Sequence, residues 1–402
     1  MKGHLSSLVV GAAAKRLKAV EADPTTSNQH EFNGVQQLRA VFGEERRRFP
    51  ARFLYLGDDE SETVRADGFV TWYDAREAHP VRSEYRLYFP ATEVSGKLRP
   101  RDLAVFLRRS DGSVLVAFAP AQSTHEHQLL WLFNLPEPEG SVLVRDLQQN
   151  DVPLSFPARI VLSELGLEPE ISAPDEESEL DILIERYGDG FPPTAEFSAF
   201  ARASVREADA RADPDGALIM WLEREEALFR HLERHLVLER LRQGFGEDVD
   251  TFISFSLSVQ NRRKSRVGFA LEHHVEALLV EHGIAFERGA ITERRSRPDF
   301  LFPSAEAYRN PEFPAERLGM LATKSTCKDR WRQILAEADR ISRKHLLTLE
   351  PAISSTQMQE MEARSVVVVV PRPLIGTFAE RDRHRLVTVA DFLRERHEVQ
   401  AL

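Results

Sequence analysis

The chain reads as two domains of α+β or mixed class, a mainly-β N-terminal domain followed by an α/β domain. Three observations lead there. To about Val161 the sequence is dominated by short aromatic and β-branched runs; beyond about Asp215, long helical periods alternate with apolar runs. Between the two, residues 165–179 carry Pro169, Pro174 and an acidic run. This predicts a domain over residues 1–164, a linker over 165–190 and a second domain over 191–402.

In the first half, Phe69–Ala75, Glu84–Phe89, Asp102–Arg109 and Ser113–Pro120 have strand character, and Ser110–Ser113 (SDGS) makes a hairpin turn between the last two. Gln128–Leu135 (QLLWLFNL) is a further strand candidate, and Gly34–Gly43 is a helix closed by its glycine. Many short strands with turn signals suggest a barrel-like or sandwich domain. In the second half, Leu218, Trp221, Leu222, Leu228, Leu232 and Leu236 recur on one face of a helix over Asp215–Gln243. A helix over Val267–His282, a strand-like run at Met320–Thr323, a buried strand at Ser365–Pro371 (SVVVVVP) and a closing helix over Thr388–His397 complete an α/β pattern.

Composition narrows the function. With 42% hydrophobic and 29% charged residues and no apolar run of membrane-spanning length, the chain has an ordinary globular composition. The opening MKGHLSSLVVGAAAKRL is read as the first structured element rather than an export signal. A single cysteine, Cys327, excludes an intramolecular disulfide and fits a reducing cytoplasm. The net charge of −11 speaks mildly against nucleic acid. DNA affinity, however, depends on local basic patches. Three occur in the second half: Arg262, Arg263, Lys264 and Arg266; Arg294, Arg295 and Arg297; and Lys324, Lys328, Arg330 and Arg332.

The stretch from Pro298 to Glu337 carries the chemistry. An acid after a proline (Asp299), a lysine closing an apolar segment (Lys324) and a glutamate thirteen residues on (Glu337) suit metal-dependent phosphodiester hydrolysis. Mg²⁺ takes oxygen ligands and retains several waters, so one or two carboxylates plus a substrate phosphate suffice. A nearby lysine can steer the attacking water or stabilise developing charge. Nucleases of this kind commonly place an acid two residues before the lysine, where Ala322 stands here, so Glu337 is the second acid. It falls on Asp329–Ile341, whose Trp331, Ile334, Leu335, Ala338 and Ile341 predict a helix. The residues alone leave open a turn-capping Asp299 with Lys324 and Glu337 as surface charges. His125 and His127 lack supporting ligands at metal spacing, and His273 and His274 are read as packing or groove lining.

The strings RQGFG (Arg242–Gly246), SVQNRRKSR (Ser258–Arg266), RPDFLFPSAEAY (Arg297–Tyr308) and TKSTCKDRWRQILAEADRI (Thr323–Ile341) resemble the catalytic domain of EcoRII-type restriction endonucleases. The resemblance runs from about Phe191 to the C-terminus. It implies a restriction-endonuclease-like core, a mixed sheet flanked by helices, that cuts double-stranded DNA with Mg²⁺. The family's catalytic set maps onto Asp299, Lys324 and Glu337, its functional tyrosine onto Tyr308, and an upstream helix acid onto Glu272. Val267 and Phe269 stand where the family has smaller or basic residues, which touches DNA contacts rather than catalysis. Lys328, Asp329 and Arg330 resemble a basic–acid–basic cassette reading CC:GG pairs, a pairing chemistry open to these residue types. Arg263 and Arg266 are expected in a groove, beside Arg262 and Lys264.

The first half more weakly resembles the EcoRII effector-binding domain, a DNA-binding pseudobarrel. Lys15–Ala19 (KRLKA) and Ser27–Gly34 (SNQHEFNG) look like its first clamping arm, with Lys15, Arg16, His30, Glu31 and Asn33 as candidates. Trp72–Arg86 looks like the second, with Arg76 and with Arg82, Glu84 and Arg86 alternating along a strand. The resemblance further implies a type IIE enzyme that is a homodimer through its C-terminal domain. Its target would be a palindrome related to CCWGG, with a companion cytosine methyltransferase and an N-terminal domain that restrains cleavage until it binds DNA. Two other readings stand beside it: a DNA-binding regulator with a vestigial site, and a monomeric nicking or repair nuclease.

Overall fold

The computed structural model describes residues 3–22, 30–33, 35–57, 62–138, 142–147, 154–168, 176–188 and 190–401. The side chains of residues 176–179, Lys264 and Asp329 lie outside the description, as do Ser27–Gln29 and Gly34 of the expected first arm.

The N-terminal strands are β1 (Val9–Arg16), β2 (Glu31–Phe32), β3 (Arg47–Tyr55), β4 (Val64–Asp74), β5 (Tyr85–Tyr88), β6 (Leu103–Arg109), β7 (Val114–Ala119) and β8 (Leu143–Asp146). They form one eight-stranded sheet in the order β2-β5-β4-β3-β7-β6-β1-β8, parallel only at β3–β7. The sheet curls. The ring of Phe32 on β2 lies 5.0 Å from that of Phe106 on β6, five places along the order. With neighbouring strands about 4.8 Å apart, a flat sheet cannot make that contact. The concave face closes over Phe32, Phe49, Trp72, Leu87, Phe106 and Val116.

Short helices α1 (Ala19–Ala22) and α2 (Arg39–Phe42) follow β1 and β2, and Gly43 ends α2 with φ 84°. The convex face is covered by α3 (Thr124–Leu132) and α4 (Phe156–Glu164). Gln128–Leu135, expected as a strand, is therefore mostly helix. Ser123 Oγ accepts the Glu126 N–H at 3.1 Å while the Glu126 carboxylate accepts the Gln122 N–H at 3.2 Å, so local capping chemistry decides what a dense apolar run cannot.

The second sheet comprises β9 (Glu287–Arg288), β10 (Phe300–Phe302), β11 (Gly319–Lys324), β12 (Lys344–Thr348), β13 (Val366–Val370) and β14 (Leu386–Thr388). Its order is β14-β13-β12-β11-β10-β9, with β11 to β14 parallel and β9, β10 antiparallel. Helices cover both faces, so the expected mixed sheet between helices is present. The helices of this half are α5 (Glu176–Tyr187), α6 (Thr194–Ala203), α7 (Pro214–Gln243), α8 (Val249–Glu281), α9 (Ala305–Arg309), α10 (Ser355–Ala363) and α11 (Val389–Ala401), of which α5 packs on other helices rather than on the sheet. α7 starts on an Asp213 cap followed by Pro214, two start signals in succession. Buried Asp215 then caps α11, accepting the Val389 and Ala390 N–H groups at 2.9 and 3.0 Å.

Three expectations need correcting here. α8 begins at Val249 rather than Val267, so the SVQNRRKSR string is helical. The segment expected as linker contains α5, whose Leu183 is buried against Phe197, Leu228 and Phe229. The helix expected over Asp329–Ile341 is a 3₁₀ helix over Lys328–Ala336, and Glu337 follows it in extended backbone. Trp331 and Ile334 are buried three residues apart, a spacing that serves three residues per turn as well as 3.6, and Ala338 is buried beyond the end of the 3₁₀ helix. Among the described residues no helix is long and apolar enough to cross a membrane.

Candidate active site and nucleic-acid contacts

Asp299 precedes β10, and Lys324 ends the neighbouring β11. The pairing Phe300↔Leu321 sets Asp299 beside Ala322 and Thr323. Asp299 Oδ2 accepts the Thr323 N–H at 2.7 Å, the Thr323 hydroxyl at 3.1 Å and the Lys324 ammonium at 3.1 Å. Both charged side chains are largely but not wholly covered, 20% and 16% exposed. Strand pairing thus joins an acid and a lysine that are 25 residues apart.

Glu337 enters from the end of the 3₁₀ helix. Its Oε2 is buried without a hydrogen-bond partner. Burial pushes its carboxyl above the usual glutamate range, Lys324 opposes this and Asp299 adds to it. Glu272, on α8, is also raised, by burial and then by Asp299, against the Arg288 hydrogen bond and Lys324. Glu272, Asp299, Lys324 and Glu337 are therefore one electrostatic unit. Arg288, opposite Phe300 on β9, holds Glu272 at 2.7 Å and Glu276 at 2.6 Å.

Among the described residues no group of three His, Cys, Asp or Glu side chains closes into a protein-only metal cage. A hard cation needs no such cage. The orphaned, half-buried Glu337 carboxylate, under the influence of Asp299, fits a missing positive charge, because a buried unpaired oxygen is costly to leave unmet.

Two residues that sequence reasoning missed position Glu337. Buried Lys344 donates to the carbonyls of Glu337, Ala338 and Ile341, the last two at 3.0 Å. Its only sequence signal is a lysine just ahead of the leucine pair in the strand KHLLT. Glu293 accepts the Tyr308 hydroxyl at 2.7 and 2.6 Å and the Asp339 N–H at 3.2 Å. Tyr308 is buried, and burial with the Glu293 hydrogen bond pushes its pKa up to about 12. It supports the turn behind Glu337, where Ala338 takes φ 52°, and makes no described contact with Asp299 or Lys324.

The expected DNA contacts of this half divide. Arg330 is exposed, with no carboxylate partner among the described residues. Lys328 Nζ lies 3.2 Å from Glu164 of α4, while its backbone is pinned by buried Glu350, which accepts the Cys327 and Lys328 N–H groups at 2.6 and 3.1 Å. Arg262 sits 4.1 Å over the Phe191 ring. Arg263 is bound to Glu233 and Glu168. Arg266 is a correction: at 7% exposure it pairs with Glu225 at 2.7 Å and packs over Phe197 and Phe229, so it supports the α7–α8 core rather than facing a groove.

The N-terminal candidates are similarly engaged. Lys15 is buried against Glu21 and donates to the Asn33 carbonyl at 2.7 Å; Arg16 pairs with Glu126 and Glu137. Arg76 and Arg86 both pair with Glu84, and Arg86 also with Glu31. β5 begins only at Tyr85, so Arg82 and Glu84 precede the strand on which alternation placed them. Arg82 is exposed, as is the loop around it, and His30 packs edge-on against Phe89 at 5.5 Å.

Residues 229–393, which hold the whole acid–lysine site, match the family model described as EcoRII C terminal. A curated protein that this chain resembles is the type II restriction enzyme EcoRII of Escherichia coli. Its sequence is 46% identical over 215 residues, 53% of this chain and 52% of that protein. The chain thus spans about half the length of the curated relative it matches. Two solved structures, metal-depleted Ecl18kI with uncleaved DNA and with uncleaved, modified DNA, align at a TM-score of 0.43 each, with 17% and 18% identity. Each alignment covers 56% of this chain and 84% of that one.

Proposed function

We propose that the chain is a type II restriction endonuclease, hydrolysing double-stranded DNA at a short palindrome related to CCWGG. The carrying observation is the Asp299–Lys324 contact at adjoining strand ends, with the unpaired Glu337 oxygen in the same electrostatic unit. Asp299 and Glu337 would hold Mg²⁺. When bound, the cation supplies positive charge to the phosphoryl oxygens and acidifies water. Lys324 then orients the attacking water and balances charge on the phosphate. In-line attack at phosphorus with departure of the 3′ oxygen leaves 5′-phosphates. Tyr308 and Glu272 act through position and field.

The remaining family traits belong to the same reading: a homodimer through the C-terminal domain, a cytoplasmic setting beside a cytosine methyltransferase, and an N-terminal domain that binds a second DNA copy. Restraint by that domain is supported by Glu164, which occupies Lys328, and by Glu168 of the following segment, which shares Arg263 with Glu233. The test is Lys324→Ala in full-length protein. Metal-dependent cleavage should fall at least a hundredfold with duplex binding retained; cleavage at the parental rate would overturn the assignment. Absence of cleavage by the parent protein would favour a DNA-binding regulator.

A further inference from the structure

The basic side chains at the arm end of the curled sheet fall into two groups. Lys15, Arg16, Arg39, Arg76 and Arg86 are each tied to a carboxylate. Arg46 just before β3 and Arg47 and Arg48 at its start are exposed and have no carboxylate partner among the described residues. Their guanidinium groups lie over aromatic rings instead: Arg46 over Tyr73 at 5.7 Å, Arg47 over Phe49 at 5.1 Å and Arg48 over Phe69 at 3.5 Å. Arg108 lies 4.7 Å from the same Phe49 ring, on which two cations therefore converge without an acid between them. Burial, and then the Arg47 charge, lowers the Arg108 pKa.

Alternation along β3 sends Arg47 to the concave side with Phe49 and Arg108, and Arg46 and Arg48 to the outer side with Tyr73 and Phe69, so the four cations straddle the sheet end that lies beside both expected arms. Arg47 pairs with Trp72 on β4, Tyr73 pairs with Arg86 on β5, and Phe32 pairs with Leu87, so Arg46, Tyr73, Arg86 and Asn33 line one end of the sheet. Of the acids there, Glu31 is committed to Arg86, Glu44 to Arg39, and Glu84 to Arg76 and Arg86, while Glu45 is exposed beside Arg46. Ring stacking orders a guanidinium without consuming its N–H donors, which leaves those of Arg46, Arg47 and Arg48 open to bidentate contact with phosphate oxygens, whereas Arg108 also donates to the Val41 carbonyl at 3.4 Å. Repulsion between neighbouring cations is relieved when an anion binds, and a polyanion relieves it at several points together.

We propose that Arg46, Arg47, Arg48 and Arg108 form the phosphodiester-binding strip by which the N-terminal domain holds duplex DNA. This rests on the reading that the domain binds DNA, and it assigns the electrostatic contact to residues outside both arms. The ion-paired arm residues then serve to shape the surface.

The experiment measures binding of a fluorescent duplex across about 50 to 200 mM salt, in full-length protein carrying Lys324→Ala to prevent cutting. Each lost phosphate contact should flatten the plot of log affinity against log salt by about 0.9. Arg46→Ala/Arg47→Ala/Arg48→Ala should therefore lower the slope by about two to three and weaken binding at least tenfold at the low-salt end. Arg46→Lys/Arg47→Lys/Arg48→Lys should recover most of the slope, which a merely structural defect would not permit. An unchanged slope and affinity in the alanine variant, while the parent binds duplex, would overturn the strip alone. A parent without salt-dependent duplex binding would overturn the DNA reading with it.

Discussion

Lys324 Nζ stands 3.1 Å from Asp299 Oδ2, and the same oxygen receives the N–H and hydroxyl of Thr323. The aspartate is thus locked to the end of β11 by three donors on one oxygen. Its orientation is fixed by the strand pairing, while Glu337 reaches the site on a 3₁₀ segment held by Lys344. The two acids have different supports, so they should fail differently on mutation.

Glu337→Gln should raise thermal stability at neutral pH without metal, and abolish cleavage. Burial raises the folded-state pKa of Glu337, so its ionised form destabilises the fold. This penalty is absent below the ordinary glutamate pKa, grows as pH rises towards the raised value, and is constant above it. The melting temperature of the parent should therefore fall over that window relative to the variant, by roughly 2–4 °C per kcal/mol. Added Mg²⁺ should stabilise the parent more than the variant. Parallel pH curves would refute the assignment.

Lys344→Met should leave three backbone carbonyls without their donor around Glu337. A loss of about 2–4 kcal/mol in denaturant unfolding is expected, since buried acceptors lose a charged partner. In the fraction that folds, Mg²⁺ should be needed at higher concentration for cleavage. An unaltered metal requirement would show that Lys344 serves stability alone.

The legibility of the chain follows which interactions are local. Helix α7, the β13 strand and the SDGS hairpin were readable because capping, β-branching and turn chemistry lie within a few residues. Asp299, Lys324 and Glu337 were readable as residue types, but Asp299 meets Lys324 through the β10–β11 register and Glu337 joins them from the segment that Lys344 holds. The ion pairs of Arg266, Lys15 and Arg86 were not legible because their carboxylate partners, Glu225, Glu21 and Glu31, are brought to them by folding. The Arg46–Arg48 strip escaped notice because a basic triplet preceded by Glu44 and Glu45 looks like an ordinary solvated turn.

Glu164→Gln should free Lys328 from its 3.2 Å contact and raise the cleavage rate severalfold if the N-terminal domain restrains the site. Removing that domain should do the same, with the cut placed before Glu176 rather than at Thr194. Truncation at Thr194 would strip α5 from the cluster containing Leu183, Phe197 and Leu228 and expose apolar surface. Cleavage unchanged in Glu164→Gln and lost in the folded truncation would argue against restraint.

Arg330→Ala should reduce discrimination between cognate and random duplex by about 1–3 kcal/mol, with a smaller effect on general affinity. Arg330 is exposed and has no carboxylate partner among the described residues, while neighbouring Lys328 is anchored through Glu350. Equal losses on the two duplexes, measured in competition, would assign Arg330 to the phosphate backbone.

The most direct measurement is sequencing of the fragment ends left when purified protein and Mg²⁺ act on unmethylated phage DNA. Ends clustered at one short palindrome, carrying 5′-phosphates and absent with Lys324→Ala, are the expected result. Ends scattered without sequence preference, or intact DNA even with added site-rich duplex, would contradict a restriction endonuclease.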